Sequence, residues 1–172
     1  MRALILGGAR SGKSGFAEGL ALELGGKSVL YVATALASPG DPELFRRIKE
    51  HRGRRNPDWG LLELAGGSLT PALEAAGGWS AVLLDSLTLW VSARMLGDEE
   101  SGTLEEFERF VERAGALSEP LVLVSDEVGL GVVPESAEAR RFRDLLGLVN
   151  QRAAAAAEEV HLCVAGIAHR IK

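Results

Sequence analysis

The sequence predicts an α/β fold in which helices cover both faces of a mostly parallel sheet. Three observations carry this prediction. Short apolar runs recur along the chain, most of them continuous rather than alternating, as in strands that are buried on both faces. Helical stretches separate these runs, which is typical of parallel strands joined by crossover helices. The length of 172 residues fits one domain, spanning residues 1–172.

Six apolar runs are predicted to be strands, so we expect a sheet of six or seven strands. The runs are Ala3–Leu6, Ser28–Ala33, Leu61–Ala65, Ala81–Leu84, Leu121–Val124 and Val160–Ala165. Helical periodicity and start signals such as Thr70-Pro71 predict the intervening helices. The predicted helices are Ser14–Leu24, a helix from Asp41 towards Arg52, Ala72–Ala76, Leu87–Leu96, Thr103–Leu117 and Glu138–Glu159.

The segment that follows the first predicted strand has the spacing of a phosphate-binding loop, G-x-x-x-x-G-K-[ST]. Its residues are Gly7, Gly8, Ala9, Arg10, Ser11, Gly12, Lys13 and Ser14. Glycines let the backbone turn its N–H groups towards a polyphosphate, and the following helix presents its positive end. We expect Lys13 at the β- and γ-phosphates and the Ser14 hydroxyl as a ligand of Mg²⁺. The segment therefore predicts a nucleotide site in a three-layer P-loop (RecA-like) sandwich.

An acidic residue after an apolar strand is the second element of such a site. The run Ala81–Leu84 ends in Asp85. In P-loop enzymes this pattern supplies a magnesium-linked carboxylate, so Asp85 is the predicted metal partner of Ser14, with a simple turn residue as the alternative. Asp126 and Glu127, after the fifth predicted strand, have a similar but less specific pattern, and an ordinary strand-end loop is equally compatible with it.

The overall charge gives no electrostatic reason to expect nucleic acid or an anionic membrane as partner, because the formal net charge is −5. No apolar segment approaches the roughly 20 residues of a membrane span. The single cysteine, Cys163, excludes an intrachain disulfide and favours a reducing, cytoplasmic location. We therefore expect a cytoplasmic protein that acts on small molecules.

A basic segment between residues 46 and 55 stands out in this acidic chain. It holds six Lys or Arg residues against one Glu, and it contains His51. Leu44, Ile48 and His51 have helical spacing, so His51 continues an apolar stripe with arginines beside it. Nearby cations favour the neutral imidazole, which is the form a histidine nucleophile needs. The residues alone leave a packed structural histidine, a nucleophile and an RNA-binding patch as open alternatives.

Seven segments spread over nearly the whole chain form a more specific pattern together. They are GGARSGKS, LYVATA, RIKEHRGRR, LLDSLTLWV, VSDEVGLGVVPE, FRDLLGLVNQRAAAAAEEV and VAGIAHRIK. In this combination the chain resembles the adenosylcobinamide kinase / adenosylcobinamide-phosphate guanylyltransferase family of cobalamin biosynthesis. The resemblance implies adenosylcobinamide, ATP and GTP as substrates, Mg²⁺ as cofactor, and a homo-oligomer, which in relatives is a trimer.

Carried over position by position, the resemblance implies that His51 is the nucleophile that takes GMP from GTP. It implies further nucleotide contacts from Ala33, Thr34, Ala35, Arg52, Gly53, Arg54, Arg55, Glu63 and Asp85. The chain departs from the family pattern at Glu50, where some relatives have a second histidine, so position 50 is not expected to be catalytic. It also departs at Asp85, where some members have Glu, which preserves a metal-linked role with a shorter reach.

The function implied by the resemblance consists of two half-reactions. Adenosylcobinamide is phosphorylated by ATP or GTP, and GMP is then transferred through guanylylated His51 to give adenosylcobinamide-GDP. The alternative is a P-loop small-molecule kinase without nucleotidyl transfer, for which the phosphate loop and Asp85 are sufficient. A GTP-binding switch protein is disfavoured, because the sequence has no N-K-x-D guanine signature after a later strand.

Overall fold

Seven strands form one sheet in the computed structural model, which describes residues 2–35, 53, 56–64, 66–97 and 100–172. The strands are β1 (Arg2–Gly7), β2 (Val29–Ala33), β3 (Gly60–Glu63), β4 (Ala81–Asp85), β5 (Leu121–Asp126), β6 (Glu159–Val164) and β7 (Ile167–Arg170). Their order across the sheet is β3-β2-β4-β5-β1-β6-β7. Neighbouring strands pair in parallel from β3 to β6, and β7 pairs antiparallel with β6. The predicted mostly parallel sheet of six or seven strands is confirmed.

The seventh strand is the one that no predicted apolar run covers. Ala165 and Gly166 connect β6 to β7 as a two-residue turn, with φ angles of +52° and +83°. Positive φ at both central residues is the mark of a type I′ hairpin turn, which usually contains Asn or Asp followed by Gly. This chain has alanine in the first position, so its sequence lacks the residue pair that predicts such a turn.

In the described part of the chain, helices separate β1 from β2, β3 from β4, β4 from β5 and β5 from β6, as the sequence predicts. Those in the described ranges are α1 (Lys13–Gly25), α2 (Thr70–Glu74), α3 (Leu87–Leu96), α4 (Thr103–Ala114) and α5 (Ala137–Ala156). A 3₁₀ turn at Glu100–Gly102 precedes α4. None of the helices in these ranges has the length and apolar character needed to cross a membrane.

Three helices end earlier than the sequence predicts, and one predicted helix lies outside the described residues. The helix predicted at Ala72–Ala76 begins at Thr70 and ends at Glu74. The helix expected to reach Leu117 ends at Ala114. The helix expected to reach Glu159 ends at Ala156, because Glu159 is already the first residue of β6. The predicted helix from residue 41 towards residue 52 falls in the part of the chain that the structure does not describe.

Two sets of buried apolar side chains pack on opposite faces of the sheet. On one face α1 contributes Ala17, which packs in the same set as Ile5 of β1. On the other face α3 and α4 contribute large side chains, among them Trp90 and Phe107. Leu4 and Ile5 are adjacent in β1, belong to opposite sets and are both fully buried. The sheet is therefore covered on both faces, which confirms the predicted three-layer arrangement.

The parallel strands bring their carboxyl ends to one edge of the sheet. In the register of the sheet, Ala33 lies opposite Asp85 on one side and opposite Glu63 on the other. Gly7, the last residue of β1, lies opposite Asp126, the last residue of β5. Ligands of open α/β sheets bind beyond this edge. The phosphate loop and the predicted acidic residues therefore share the edge at which a ligand is expected.

Candidate active site

The phosphate loop makes a tight turn between β1 and α1. The Ser11 N–H donates to the Gly8 carbonyl at 3.2 Å, and the Phe16 N–H donates to the Gly12 carbonyl at 3.0 Å. Arg10 and Gly12 have positive φ, +56° and +92°. Gly12 is the N-cap of α1 and provides no side-chain cap, so the first N–H groups of the helix remain available to an anion.

The β6–β7 turn lies directly against the phosphate loop. The Gly166 N–H donates to the Ser11 carbonyl at 2.9 Å. A Cβ atom on Gly12 would lie 3.0 Å from the Gly166 Cα, and one on Gly7 would lie 2.7 Å from the Cys163 carbonyl oxygen and also meet the Ser11 hydroxyl. Both loop glycines are therefore required by neighbouring backbone as well as by the motif.

The side chain of Lys13, at the end of the phosphate loop, forms an ion pair with Asp126. Its Nζ lies 2.6 Å from Asp126 Oδ1 and donates to the Gly8 carbonyl at 3.3 Å. The two charged side chains are 13% and 24% exposed, so the pair is largely shielded from water. The sequence pattern ranks Asp126 below Asp85, yet Asp126 is the carboxylate that contacts the loop lysine.

Asp85 stands at the end of β4, one strand further from β1. Its Oδ2 accepts a hydrogen bond from the Tyr31 hydroxyl at 2.9 Å. The peptide bond between Asp85 and Ser86 is cis. The fully buried Thr34 hydroxyl donates to the Ser86 carbonyl at 2.6 Å and accepts from the Ser86 N–H at 2.8 Å. Thr34 therefore shapes the chain next to Asp85, and its predicted contact with nucleotide stays a prediction.

The remaining predicted contacts on the β2 side lie at the same edge. Ala33 is buried at the end of β2, Ala35 is half-buried, and Glu63 is exposed at the end of β3. The Leu64 N–H donates to the Ala33 carbonyl at 2.8 Å, which continues the pairing of β2 with β3 beyond the last strand residue. Their roles in nucleotide binding stay predictions.

The basic segment is the part of the predicted site that the structure hardly describes. His51, Arg52, Arg54 and Arg55 lie outside the described residues. Gly53 is described, and it is exposed and helical. The predicted nucleophile and its cations therefore rest on the sequence pattern and the family resemblance.

The Mg²⁺ ligands predicted from the sequence are the Ser14 hydroxyl and the Asp85 carboxylate, and their role stays a prediction. Ser14 lies in the first turn of α1, and the Asp85 carboxylate ends β4. Mg²⁺ prefers oxygen ligands and commonly takes several from water and substrate phosphates, so two protein ligands fit such a site. Within the described ranges, His, Cys, Asp and Glu residues form no group of three or more that could hold a metal by itself.

Several residues that organise the site carry no motif of their own. The Asp126 N–H donates to the Thr88 hydroxyl at 2.7 Å, and the Asn150 amide donates to the Asp126 carbonyl at 3.0 Å. Tyr31 belongs to this group because it holds Asp85. Thr88 and Asn150 lie on helices, and nothing in the sequence around them predicts a role at the site. Only their hydrogen bonds to Asp126 show that they help to position it. For Asp126, the sequence did offer a signal, since it is an acidic residue that follows a predicted strand.

Cys163, next to Gly7 in the sheet register, does not add a nucleophile to the site. Burial raises the pKa of its thiol, against the opposing influence of the Lys13 ammonium. The thiolate is the reactive form of cysteine, so a raised pKa keeps this side chain unreactive at neutral pH.

Comparison with solved structures supports the fold. The chain is similar to the ATPase domain of G40P, with a TM-score of 0.55, 17% sequence identity, and coverage of 94% of this chain and 68% of that one. A KaiC-like protein from Pyrococcus horikoshii OT3 gives a TM-score of 0.50 at 14% identity, covering 94% of this chain and 69% of that one. At these identities the similarity concerns the fold, and it agrees with the predicted P-loop sandwich.

Comparison with characterised sequences identifies the family. The bifunctional adenosylcobalamin biosynthesis protein CobP of Pseudomonas aeruginosa is 44% identical over 172 residues, covering 100% of this chain and 98% of that protein. The bifunctional adenosylcobalamin biosynthesis protein CobU of Salmonella typhimurium is 37% identical over 192 aligned residues, with both chains fully covered. The family model for cobinamide kinase / cobinamide phosphate guanyltransferase matches residues 3–171. The resemblance inferred from the sequence is confirmed, and the chain belongs to the cobinamide kinase / cobinamide phosphate guanyltransferase family.

Proposed function

We propose that this chain catalyses both reactions of its family, phosphorylation of adenosylcobinamide and transfer of GMP from GTP to the resulting phosphate. The observation that carries the proposal is the match to the bifunctional family over residues 3–171. The phosphate loop supports it, because Gly12 leaves the first N–H groups of α1 available and Lys13 lies at the same edge as the acidic strand ends.

In the phosphoryl-transfer step, the substrate hydroxyl oxygen attacks the γ-phosphorus and loses its proton to solvent. The bond from this phosphorus to the β–γ bridging oxygen breaks, and the nucleoside diphosphate leaves. The nucleotide contacts proposed on the P-loop are Gly7, Gly8, Ala9, Arg10, Ser11, Gly12, Lys13 and Ser14. Backbone N–H groups and the Lys13 ammonium neutralise the charge on the polyphosphate, and catalysis comes mainly from positioning and electrostatic stabilisation. Ser14 and Asp85 would hold Mg²⁺, which supplies further charge neutralisation at the phosphate oxygens when bound.

In the guanylyl-transfer step, an imidazole nitrogen of His51 attacks the α-phosphorus of GTP. A P–N bond forms, the bond to the leaving oxygen breaks, and pyrophosphate departs. The cobinamide phosphate oxygen then attacks the same phosphorus, breaks the P–N bond and frees His51. Arg52, Arg54 and Arg55 are proposed to stabilise the charge on this phosphorus, with Gly53 between them. Two in-line displacements predict net retention at phosphorus and ping-pong kinetics.

The test of the covalent route uses GTP labelled at the α-phosphorus. We expect the wild-type chain to acquire an acid-labile, base-stable label and His51→Ala to acquire none, because a phosphoramidate on histidine requires the imidazole. His169→Ala is the matched control, since His169 is exposed on β7 and has no proposed role. Label on His51→Ala at the wild-type level would reject the covalent route and leave the alternative, a P-loop kinase without nucleotidyl transfer.

Several broader attributes complete the proposal. We propose one nucleotide-binding catalytic domain over residues 1–172, a cytoplasmic location, and a homo-oligomer that is a trimer by resemblance. The substrates are small molecules, and we propose no nucleic-acid partner, because the net charge of −5 gives no general attraction to a polyanion. RNA binding through residues 46–55 is the competing interpretation of the basic segment, and it predicts a steep loss of affinity with added salt.

A further inference from the structure

The Lys13–Asp126 ion pair gives the active site a carboxylate that the proposed mechanism does not use. The pair is short, 2.6 Å between Nζ and Oδ1, and both side chains are mostly shielded from water. Lys13 is the residue expected to meet the β- and γ-phosphates. Its ammonium is therefore held by a competing anion at the place where the polyphosphate is expected.

Asp126 is fixed in the fold by contacts from three elements. It ends β5 opposite Gly7 of β1. Its N–H donates to the hydroxyl of Thr88 on α3 at 2.7 Å. Its carbonyl accepts from the amide of Asn150 on α5 at 3.0 Å, and Asn150 is 7% exposed. With both backbone groups bound, the Asp126 backbone has a defined position, and its carboxylate is separated from it by only two side-chain torsions, against four for the Lys13 ammonium.

A nucleotide bound on the loop changes the balance of charge around this pair. Its phosphates compete with Asp126 for the Lys13 ammonium, and they also bring negative charge close to a fixed carboxylate. Like charges at short distance oppose each other, so the carboxylate opposes nucleotide binding. The same carboxylate restricts Lys13, a side chain with four rotatable bonds, to the loop side of the site.

We propose that Asp126 is a positioning residue for phosphoryl transfer, whose carboxylate directs the Lys13 ammonium at the expense of nucleotide affinity. The inference rests on the proposed function, because it requires a nucleotide on the loop. It predicts opposite effects of neutralising Asp126 on binding and on turnover. A purely structural role for Asp126 does not produce that combination.

The first measurement tests the ion pair without nucleotide. In the full chain, the rate at which an amine-directed reagent labels Lys13 is followed by mass spectrometry. We expect labelling to be severalfold faster in Asp126→Asn than in wild type, because the ammonium loses its charged partner. The matched control is Glu119→Gln, which makes the same change in net charge just before β5, at the opposite edge of the sheet. Equal Lys13 labelling in wild type and Asp126→Asn would overturn the inference.

The second measurement separates binding from turnover. We expect Asp126→Asn to bind ATP and GTP roughly tenfold more tightly by calorimetry, because a charge-assisted contact no longer has to be replaced. We expect its kcat for phosphorylation of adenosylcobinamide to fall roughly tenfold, because Lys13 is less well directed. Asp126→Glu, which restores the carboxylate, should recover most of the turnover. Glu119→Gln should match wild type in both quantities.

The outcomes separate the inference from the proposed function. Wild-type protein that binds neither ATP nor GTP overturns the proposed function and this inference with it. Wild-type binding that is unaltered in Asp126→Asn, with unaltered kcat, overturns the inference alone. A parallel loss of affinity and turnover, accompanied by a lower unfolding midpoint, assigns Asp126 a structural role and also overturns it.

Discussion

At the residue scale, Gly12 in the phosphate loop and Gly19 in α1 differ in what surrounds them. Gly12 has a φ of +92°, and a Cβ atom there would lie 3.0 Å from the backbone of Gly166. Gly19, inside α1, has nothing within 4 Å of an added Cβ atom. The phosphate-loop motif requires glycine at position 12, and the structure adds the β6–β7 turn as a second reason.

Alanine substitutions at these two glycines should change stability in opposite directions. We expect Gly12→Ala to lower the free energy of unfolding by about 1–3 kcal/mol through backbone strain and the close contact. It should also weaken nucleotide binding at least roughly tenfold, since the loop has to shift. Gly19→Ala should raise the free energy of unfolding by about 0.5–1 kcal/mol, because alanine is the better helix former. Urea unfolding measures both, and a Gly12→Ala chain with wild-type stability and affinity would contradict the assignment.

At the scale of elements, the end of α5 is contacted by a lysine that follows β7. Lys172 Nζ donates to the carbonyls of Ala154, Ala155 and Ala157 at 2.9, 3.2 and 2.6 Å. These carbonyls belong to the last turn of α5 and its end, where backbone acceptors lack helical partners and the helix dipole is negative. A cation from beyond β7 therefore binds the end of a helix whose alanine run favours continuing it.

Removing this cation should loosen the end of α5. We expect Lys172→Met to lower the free energy of unfolding by about 1–2 kcal/mol, because three carbonyl contacts and the dipole interaction are lost together. Amide hydrogen exchange should become faster in residues 153–157. Lys27→Met is the control, since it removes an exposed lysine that pairs with Asp58 at the surface. A Lys172→Met chain with unchanged exchange in that turn would show that α5 ends without help from Lys172.

At the scale of the whole molecule, the topology decides which acidic residue meets the loop. β5 lies between β4 and β1 in the sheet, although β4 and β5 are both distant from β1 in sequence. Asp126 at the end of β5 is therefore adjacent to the phosphate loop, while Asp85 at the end of β4 is one strand away. Strand order therefore decides which of the two carboxylates pairs with Lys13.

At the same scale, the loss of stability of the protein in acid should include a contribution from the carboxylate of Glu106. Burial by itself would raise the pKa of Glu106 on α4, but hydrogen bonds from Ser68 and Arg109 outweigh it, and the net pKa lies below its ordinary value of 4.5. The Arg109 guanidinium lies 2.8 Å from the Glu106 carboxylate. Because the pKa is lowered by folding, Glu106 stabilises the protein above pH 4.5, and this contribution is lost as the pH falls through the folded value.

Neutralising Glu106 should therefore have a pH-dependent effect. We expect Glu106→Gln to lower the free energy of unfolding at pH 7 by about 1 kcal/mol, the usual size of such a hydrogen-bonded contact. The difference from wild type should shrink as the pH falls below 4.5, because wild type loses the same charge there. Urea unfolding at a series of pH values measures this, with Glu105→Gln as the neighbouring exposed control. A difference that is constant with pH would remove Glu106 from the acid response.

The agreement between sequence and structure is best where a pattern is local. The phosphate loop, the apolar strands around Ile5 and the helix Leu87–Leu96 were all predictable, because motif spacing and side-chain periodicity depend on neighbours in the chain. The early end of α5 was not predictable from the helix propensity of the alanine run, because β6 begins at Glu159 and Lys172 binds the carbonyls at the end of the helix. The turn at Ala165 was not predicted for a related reason, since its positive φ is supported by the pairing of β6 with β7.

The sequence by itself determined the three-layer fold, the position of the phosphate loop and the family, since each depends on residue types at fixed spacing. Only the tertiary structure decided that Asp126 rather than Asp85 pairs with Lys13, and that Tyr31 and Thr34 hold the end of β4. The physical reason is that ion pairs and hydrogen bonds act over about 3 Å in space. Strand order brings such groups together across separations in sequence that no local pattern records.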